Sequence, residues 1–180
     1  MIKKWEILES KVIFSSPFIT LREEKLKRPD GKIVPSYYAI ERPEVAYIVP
    51  ITKDRRIVLV YQYKNGVKEL VWEIPAGFID EGETSLEGAK RELLEETGFA
   101  SKEFINLGSY SSSLGLARNK NHVFLAKDAE KVGDQMLDQN EEIEVKTFPL
   151  EEIITGIKNR QSVILETQAQ LAVLLAEQVL

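Results

Sequence analysis

At 180 residues and 43% hydrophobic composition, the chain is long enough to bury one substantial core and near the size where a single domain is the default. A net charge of -5, from 24 basic and 29 acidic residues, excludes a general nucleic-acid binder, which needs a basic footprint to release counterions. With no cysteine there is neither a disulfide framework nor a thiolate nucleophile, and the opening stretch MIKKWEILES lacks the apolar core of a secretory signal. No later stretch has the roughly 18 uncharged apolar residues of a membrane span, so a soluble, cytoplasmic protein without a membrane partner is expected. An acidic protein that handles phosphates must bring in positive charge, as placed Arg and Lys or as bound metal.

Residues 19–26 and 32–40 read as extended segments around the turn signal Pro29-Asp30-Gly31, which predicts an N-terminal hairpin. With few apolar positions, residues 1–42 read as an arm that must pack on something, and residues 43–180 as the main domain. Trp5 would help anchor the arm. The β-branched and aromatic runs 45–51 and 56–63, flanking Lys53-Asp54-Arg55, predict a second hairpin. The stretch 84–97 has apolar Leu86, Ala89 and Leu93 at helical spacing, opens with the capping-box pattern Thr84-x-x-Glu87, and stops at Gly98. Strands are expected at 104–110, 122–126 and 144–148, and a closing helix over 162–179. The chain's one histidine, His122, sits in the apolar run NHVFLA, where a packed core histidine is favoured over a catalytic one. The class is α+β, with strands in antiparallel hairpins and helices covering them.

The chemistry is concentrated between Pro75 and Phe99. On a helix turning about 100° per residue, Glu92 and Glu96 lie one turn apart with Glu95 beside them, so three carboxylates share a narrow arc. Like charges at this spacing destabilise a helix unless something compensates, and a divalent cation would. Mg²⁺, with Mn²⁺ as the alternative, takes oxygen ligands and commonly combines one or two carboxylates with waters and phosphate oxygens. Gly88 costs about 1 kcal/mol relative to Ala inside a helix, which suggests that the missing side chain leaves room for metal and phosphate. Arg91 can pair with Glu87 or Glu95 and hold the acidic face in shape.

The same segment fits G-x5-E-x7-R-E-U-x-E-E-x-G-U, with U a bulky apolar residue, through Gly77, Glu83, Arg91, Glu92, Leu93, Glu95, Glu96, Gly98 and Phe99. Seven named Gly, Glu and Arg positions at roughly 7% usage each give a chance on the order of 10⁻⁸ per start, which removes coincidence. The pattern resembles the Nudix box, and the flanking segments resemble the ADP-ribose and nucleoside-diphosphate-sugar branch of that superfamily. The resemblance implies an α/β/α sandwich around a mixed sheet with an N-terminal β-hairpin arm. It implies Mg²⁺-dependent cleavage of a nucleoside diphosphate sugar or ADP-ribose into a nucleoside monophosphate and a sugar phosphate. Glu92, Glu95, Glu96 and the Ala76 carbonyl would be metal ligands, Glu83 would support the site, and Arg91 would orient a ligand carboxylate. Glu141, with Glu142 as the fallback, would be the general base.

Substrate contacts fall to Phe18 and Tyr37 as base-stacking aromatics, Arg42 and Lys64 as cations for the phosphates, and Glu73 in the run before the box. The family's ADP-ribose enzymes usually carry Ser-Pro-Gly followed by a Glu. Here Ser113-Leu114-Gly115 is followed by Asn119, which makes a nucleotide sugar at least as good a candidate. By resemblance the arm would also form a homodimer. Alternatives are a Nudix hydrolase of damaged nucleoside triphosphates or RNA 5′ ends, which the acidic balance disfavours for RNA, and a non-catalytic nucleotide-sugar sensor, disfavoured because every box glutamate is present.

Overall fold

The computed structural model describes residues Met1–Leu180, in two compact units. One comprises Met1–Glu44 with Ser111–Lys120, and the other Val45–Tyr110 with Asn121–Leu180.

The N-terminal unit is a three-stranded antiparallel sheet, β1 (Glu6–Ser16), β2 (Ile19–Lys27) and β3 (Ile33–Glu41). The expected hairpin is therefore β2–β3, and a further long strand lies on its outer edge. β1 escapes a periodicity search because almost all of its residues are exposed on both faces, so no alternation of polar and apolar positions is imposed on it. Trp5 stands before it, with the Arg28 guanidinium 5.7 Å from its ring centre. Leu26 and Ala39 are the only buried apolar residues of this unit. Polar contacts supply much of the rest. Arg118 reaches the buried Glu24 at 2.6 Å and Glu41 at 3.5 Å, Arg22 holds Glu41 at 2.8 Å, and Arg118 N–H donates to the Ile40 carbonyl.

The larger unit is built on a sheet in the order β12 (Glu144–Pro149), β5 (Arg56–Lys64), β4 (Val45–Ile51), β10 (Asn121–Lys127), β9 (Glu103–Tyr110). The β4–β10 pair is parallel and the others antiparallel, which makes the sheet mixed. The predicted β4–β5 hairpin closes at Ile51–Ile57 and then splays. β6 (Glu69–Glu73) pairs with β5 and β7 (Ala76–Phe78) with β4, so one continuous segment fills the gap, and the Pro75 carbonyl accepts from Ile48 N–H. A small ribbon joins β8 (Phe99–Ala100) to β11 (Glu130–Lys131).

Alternation along β4 sends successive side chains to opposite layers. Tyr47, Val49 and Ile51 pack with α2 (Leu150–Lys158) and α3 (Thr167–Glu177), while Ala46 and Ile48 pack with Ala89 and Leu93 of α1 (Ser85–Thr97). Helices thus cover both faces, as the expected α/β/α arrangement requires. Two differences from the sequence reading have local causes. Residues 150–158 form a helix of their own after Pro149, and α3 begins only at Thr167 because Ile164 bridges to Trp72, holding the chain extended along β6. His122 is half-buried rather than fully packed, and its Nδ1 lies 2.9 Å from Ser109 Oγ. No helix is long and apolar enough to cross a membrane.

Candidate active site

The site is organised by the two ends of α1. At its start Thr84 and Glu87 form the predicted capping box, Glu87 N–H donating to Thr84 Oγ1 and Thr84 N–H to Glu87 Oε2. At its end Gly98 adopts φ 70°, and an added Cβ would sit 2.3 Å from the Gly133 carbonyl oxygen. Glycine is required there by both conformation and space.

Ala89 and Leu93 anchor the helix in the core, and this orients Glu92 and Glu96 toward β7. Glu96, only 4% exposed, accepts a hydrogen bond from Ala76 N–H at 3.0 Å. Glu92 lies against Gly77, where a Cβ would come within 2.1 Å of the Glu92 carboxyl carbon, so glycine at 77 makes the carboxylate's position available. The room expected at Gly88 for metal and phosphate is not there. Glu83 Oε2 and Ile79 Cγ1 both lie 3.3 Å from the position of a Gly88 Cβ, so that glycine serves close packing of the 79–83 loop on the helix.

Arg91 spans the acidic face. Its guanidinium donates to Glu83 through both Nε and Nη2 at 2.9 Å, to Glu92 at 2.8 Å, to Glu95 at 3.0 Å and to the Phe78 carbonyl at 2.9 Å. Glu87 is engaged at the cap, so the alternative Arg91–Glu87 pair does not form. Fork geometry lets one planar cation tie the loop before the helix to two carboxylates on it, which a lysine cannot do. Hydrogen bonds from Arg91 lower the Glu83 carboxyl from the usual 4.5 to about 2. Glu92 and Glu96 move the opposite way: burial raises both, and well above the usual range for Glu96. At Glu92 the Arg91 guanidinium opposes the rise while the charges of Glu95 and Glu141 add to it, and at Glu96 the charges of Glu92 and Glu141 add to it. The Ala76 N–H and the Lys64 ammonium oppose that rise at Glu96.

The buried Glu96 and the half-buried Glu92 beside it are the test of fit for a cation. Burying an anion beside another is unfavourable unless positive charge accompanies it, and the donors are hard oxygens. No three carboxylates gather closely enough to cage an ion unaided. A divalent cation held by so few carboxylates would complete its shell with water and substrate phosphate oxygens.

Of the other predicted residues, Glu141 lies in a turn, its N–H donating to the Asp138 carbonyl and its carboxylate accepting from Asp138 N–H at 3.0 Å. Its influence on both Glu92 and Glu96 puts it within electrostatic reach of them. Glu142 is also exposed. Lys64 and Glu73 form an ion pair at 3.0 Å, joined by Gln62. Phe18, Tyr37 and Arg42 belong to the N-terminal unit. Phe18 is exposed at the β1–β2 turn, and the Tyr37 hydroxyl donates to the Gly115 carbonyl at 2.5 Å, tying β3 to the 111–120 loop.

Sequence reasoning missed Glu166. It stands at the start of α3 without capping it, accepts instead from the Tyr47 hydroxyl at 2.8 Å, and is raised by burial. No spacing pattern links residues 47 and 166.

Compared with known proteins, residues 41–168 match the model of the NUDIX domain and residues 5–40 that of the nucleoside diphosphate sugar hydrolase N-terminal domain. The chain belongs to the Nudix family and is a Nudix hydrolase. It is similar to an ADP-ribose pyrophosphatase of Bacillus subtilis (strain 168), 31% identical over 83% of this chain and 80% of that one. It is similar also to a methanol dehydrogenase activator of Bacillus methanolicus, 29% identical over 86% and 83% of the two chains. The crystal structure of an ADP compounds hydrolase superposes with a TM-score of 0.86 at 25% identity, covering 99% of this chain and 95% of that one.

Proposed function

We propose that this Nudix hydrolase cleaves the diphosphate of a nucleoside diphosphate sugar or ADP-ribose, releasing a nucleoside monophosphate and a sugar phosphate with the help of Mg²⁺. The observation that carries the reading is the buried Glu96 with the half-buried Glu92 beside it, Glu141 in electrostatic reach and Arg91 bracing Glu92 and Glu95. Similarity to an ADP-ribose pyrophosphatase and an ADP compounds hydrolase supports the substrate class.

Glu92, Glu95, Glu96 and the Ala76 carbonyl would hold the cation, with Mn²⁺ as the alternative. Bound there, it supplies Lewis acidity toward the diphosphate and lowers the pKa of water. The protein's own residues do the rest. Arg91 fixes the carboxylates of Glu92 and Glu95, so their geometry costs little reorganisation when charge builds on the diphosphate. Glu141, exposed and therefore able to exchange protons with solvent, takes the proton of the attacking water, with Glu142 as the second candidate. Lys64, and Arg42 from the N-terminal unit, offset phosphate charge, while Glu73 orients Lys64. Phe18 and Tyr37 stack on the base.

The arm supports a homodimer in this proposal. Ile7, Val12, Phe14 and Phe18 stand 45–64% exposed along and beyond β1, apolar side chains that a second copy of the chain would cover. A cytoplasmic location is part of the same proposal.

The testing experiment is release of mononucleotide from a panel of nucleotide sugars, ADP-ribose, dinucleoside polyphosphates and nucleoside triphosphates, with and without Mg²⁺. Mg²⁺-dependent release from a nucleotide sugar or ADP-ribose is expected. Preference for triphosphates, or equal activity in chelator, contradicts the reading. Sedimentation at micromolar concentration tests the assembly, a dimer being expected and a fully active monomer contradicting it.

A further inference from the structure

The last turn of any α-helix leaves carbonyls without an intrahelical partner, and something must satisfy them when they are buried. In α1 the segment 132–136 does so. Val132 and Gly133 N–H donate to the Gly98 carbonyl, and Met136 N–H donates to Glu95 O at 2.9 Å. Gln135 completes the set with its side chain: Nε2 donates to Glu96 O at 2.7 Å and to Ile143 O at 3.0 Å. A primary amide has two N–H bonds, and both are used here. Because both partners are carbonyls, only the nitrogen can face them, which fixes the orientation of the amide.

Glu96 is the buried carboxylate of the site, and Ile143 is the buried residue immediately before β12, where the 137–142 loop ends. One side chain therefore clamps the end of the acidic helix to the base of the loop that carries Glu141. The loop's own bonds, Glu141 N–H to Asp138 O and Asp138 N–H to Glu141 Oε2, close it on itself and leave its placement to its two ends.

We propose that Gln135 is a positioning residue for hydrolysis, setting the height of the Glu141 loop over Glu92 and Glu96. This rests on the reading of Glu141 as the base. Gln135 touches neither substrate nor reacting atoms; it acts through the loop. A base displaced by about 1 Å loses on the order of a hundredfold in rate, while substrate and cation affinity need not change.

The experiment uses the full chain with ADP-ribose and Mg²⁺, and compares wild type, Gln135→Met, Glu141→Gln and the double variant. Methionine keeps the length and bulk of Gln135 and removes both donors. Expected are a kcat roughly tenfold to a hundredfold lower in Gln135→Met, with KM and the Mg²⁺ activation constant within about twofold, and no additional loss when Gln135→Met is placed on Glu141→Gln. Amide exchange should accelerate in residues 137–142 while α1 stays protected, and Gln135→Ala should repeat the pattern if the thioether packs poorly. Normal kcat in Glu141→Gln overturns the underlying assignment of the base. A slow Glu141→Gln beside a normal Gln135→Met overturns the clamp alone. An equal loss from Gln135→Met with and without Glu141 shows that the residue acts on Glu96 instead, and also overturns it.

Discussion

The two units of this molecule solve the problem of holding a shape differently. Around α1 the order comes from a dry core, Ala46, Ile48, Ala89 and Leu93 all fully buried, on which Arg91 and its carboxylates are mounted. In the N-terminal unit only Leu26 and Ala39 are buried apolar residues, and the shape rests on strand ladders and on ion pairs centred on Glu24 and Glu41. The candidate site is mounted on the unit with the dry core, the kind of support that a preorganised site needs. The unit with less core of its own carries Ile7, Val12 and Phe14 exposed along β1.

If that contrast is right, damage near α1 should cost rate and damage in the sheet of β1–β3 should cost local order. The largest effect is expected from Glu96→Gln. Its amide can still accept from Ala76 N–H, so the fold should survive, while kcat falls by about 10²–10⁴ if a charge-stabilising interaction worth several kcal/mol is lost. Steady-state rates at saturating Mg²⁺ check this, and near-normal turnover would separate Glu96 from the chemistry. Gly77→Ala should come close behind, because the new Cβ must displace the Glu92 carboxylate. Its signature is a lost rate with a melting temperature shifted only a few degrees.

A middle effect is expected at Arg91. Glu83 titrates near 2 when folded, against the usual 4.5 when unfolded, so its pairing contributes stability that is full above about 4.5 and disappears as the pH falls toward 2. Arg91→Met should flatten that part of the stability profile in thermal melts recorded from pH 7 to pH 2. An unchanged slope would mean that Glu83 owes its low pKa to something other than Arg91. The smallest global effect belongs to Glu24→Ala, which frees Arg118 from a buried partner. A fully buried pair broken this way would cost 3–5 kcal/mol, but Arg118 keeps 41% of its side chain in solvent, so about 1–3 kcal/mol is expected, confined to the N-terminal unit. Amide exchange should rise in β2 and in 111–120 while α1 keeps its protection. Equal loosening of both would break the comparison.

The same contrast explains what was legible in the sequence. The box could be read because its parts lie within one loop and one helix, where spacing translates directly into a shared face. Helix caps at Thr84 and Gly98, and five strands of the central sheet, follow from equally local rules, whereas the short β6 and β7 that fill the gap between β4 and β5 were not read. β1 could not be read, since Glu6–Ser16 buries neither face and carries no alternation to detect. Gly88 was misread because helix geometry gives its face but not that Ile79 and Glu83 fold back over it. Gln135 and Glu166 were invisible for the same reason in stronger form: the Glu96 carbonyl lies 39 positions from Gln135 and Tyr47 lies 119 positions from Glu166, and only the assembled fold brings them together.

The central claim is that the acidic face of α1 holds a divalent cation through Glu92 and Glu96. Calorimetric titration of Mn²⁺ into the wild type and into Glu92→Gln/Glu96→Gln measures it without reference to substrate or rate. Saturable binding in the wild type, lost in a double variant that melts cooperatively, is the predicted result. Equal binding by both proteins would contradict the account.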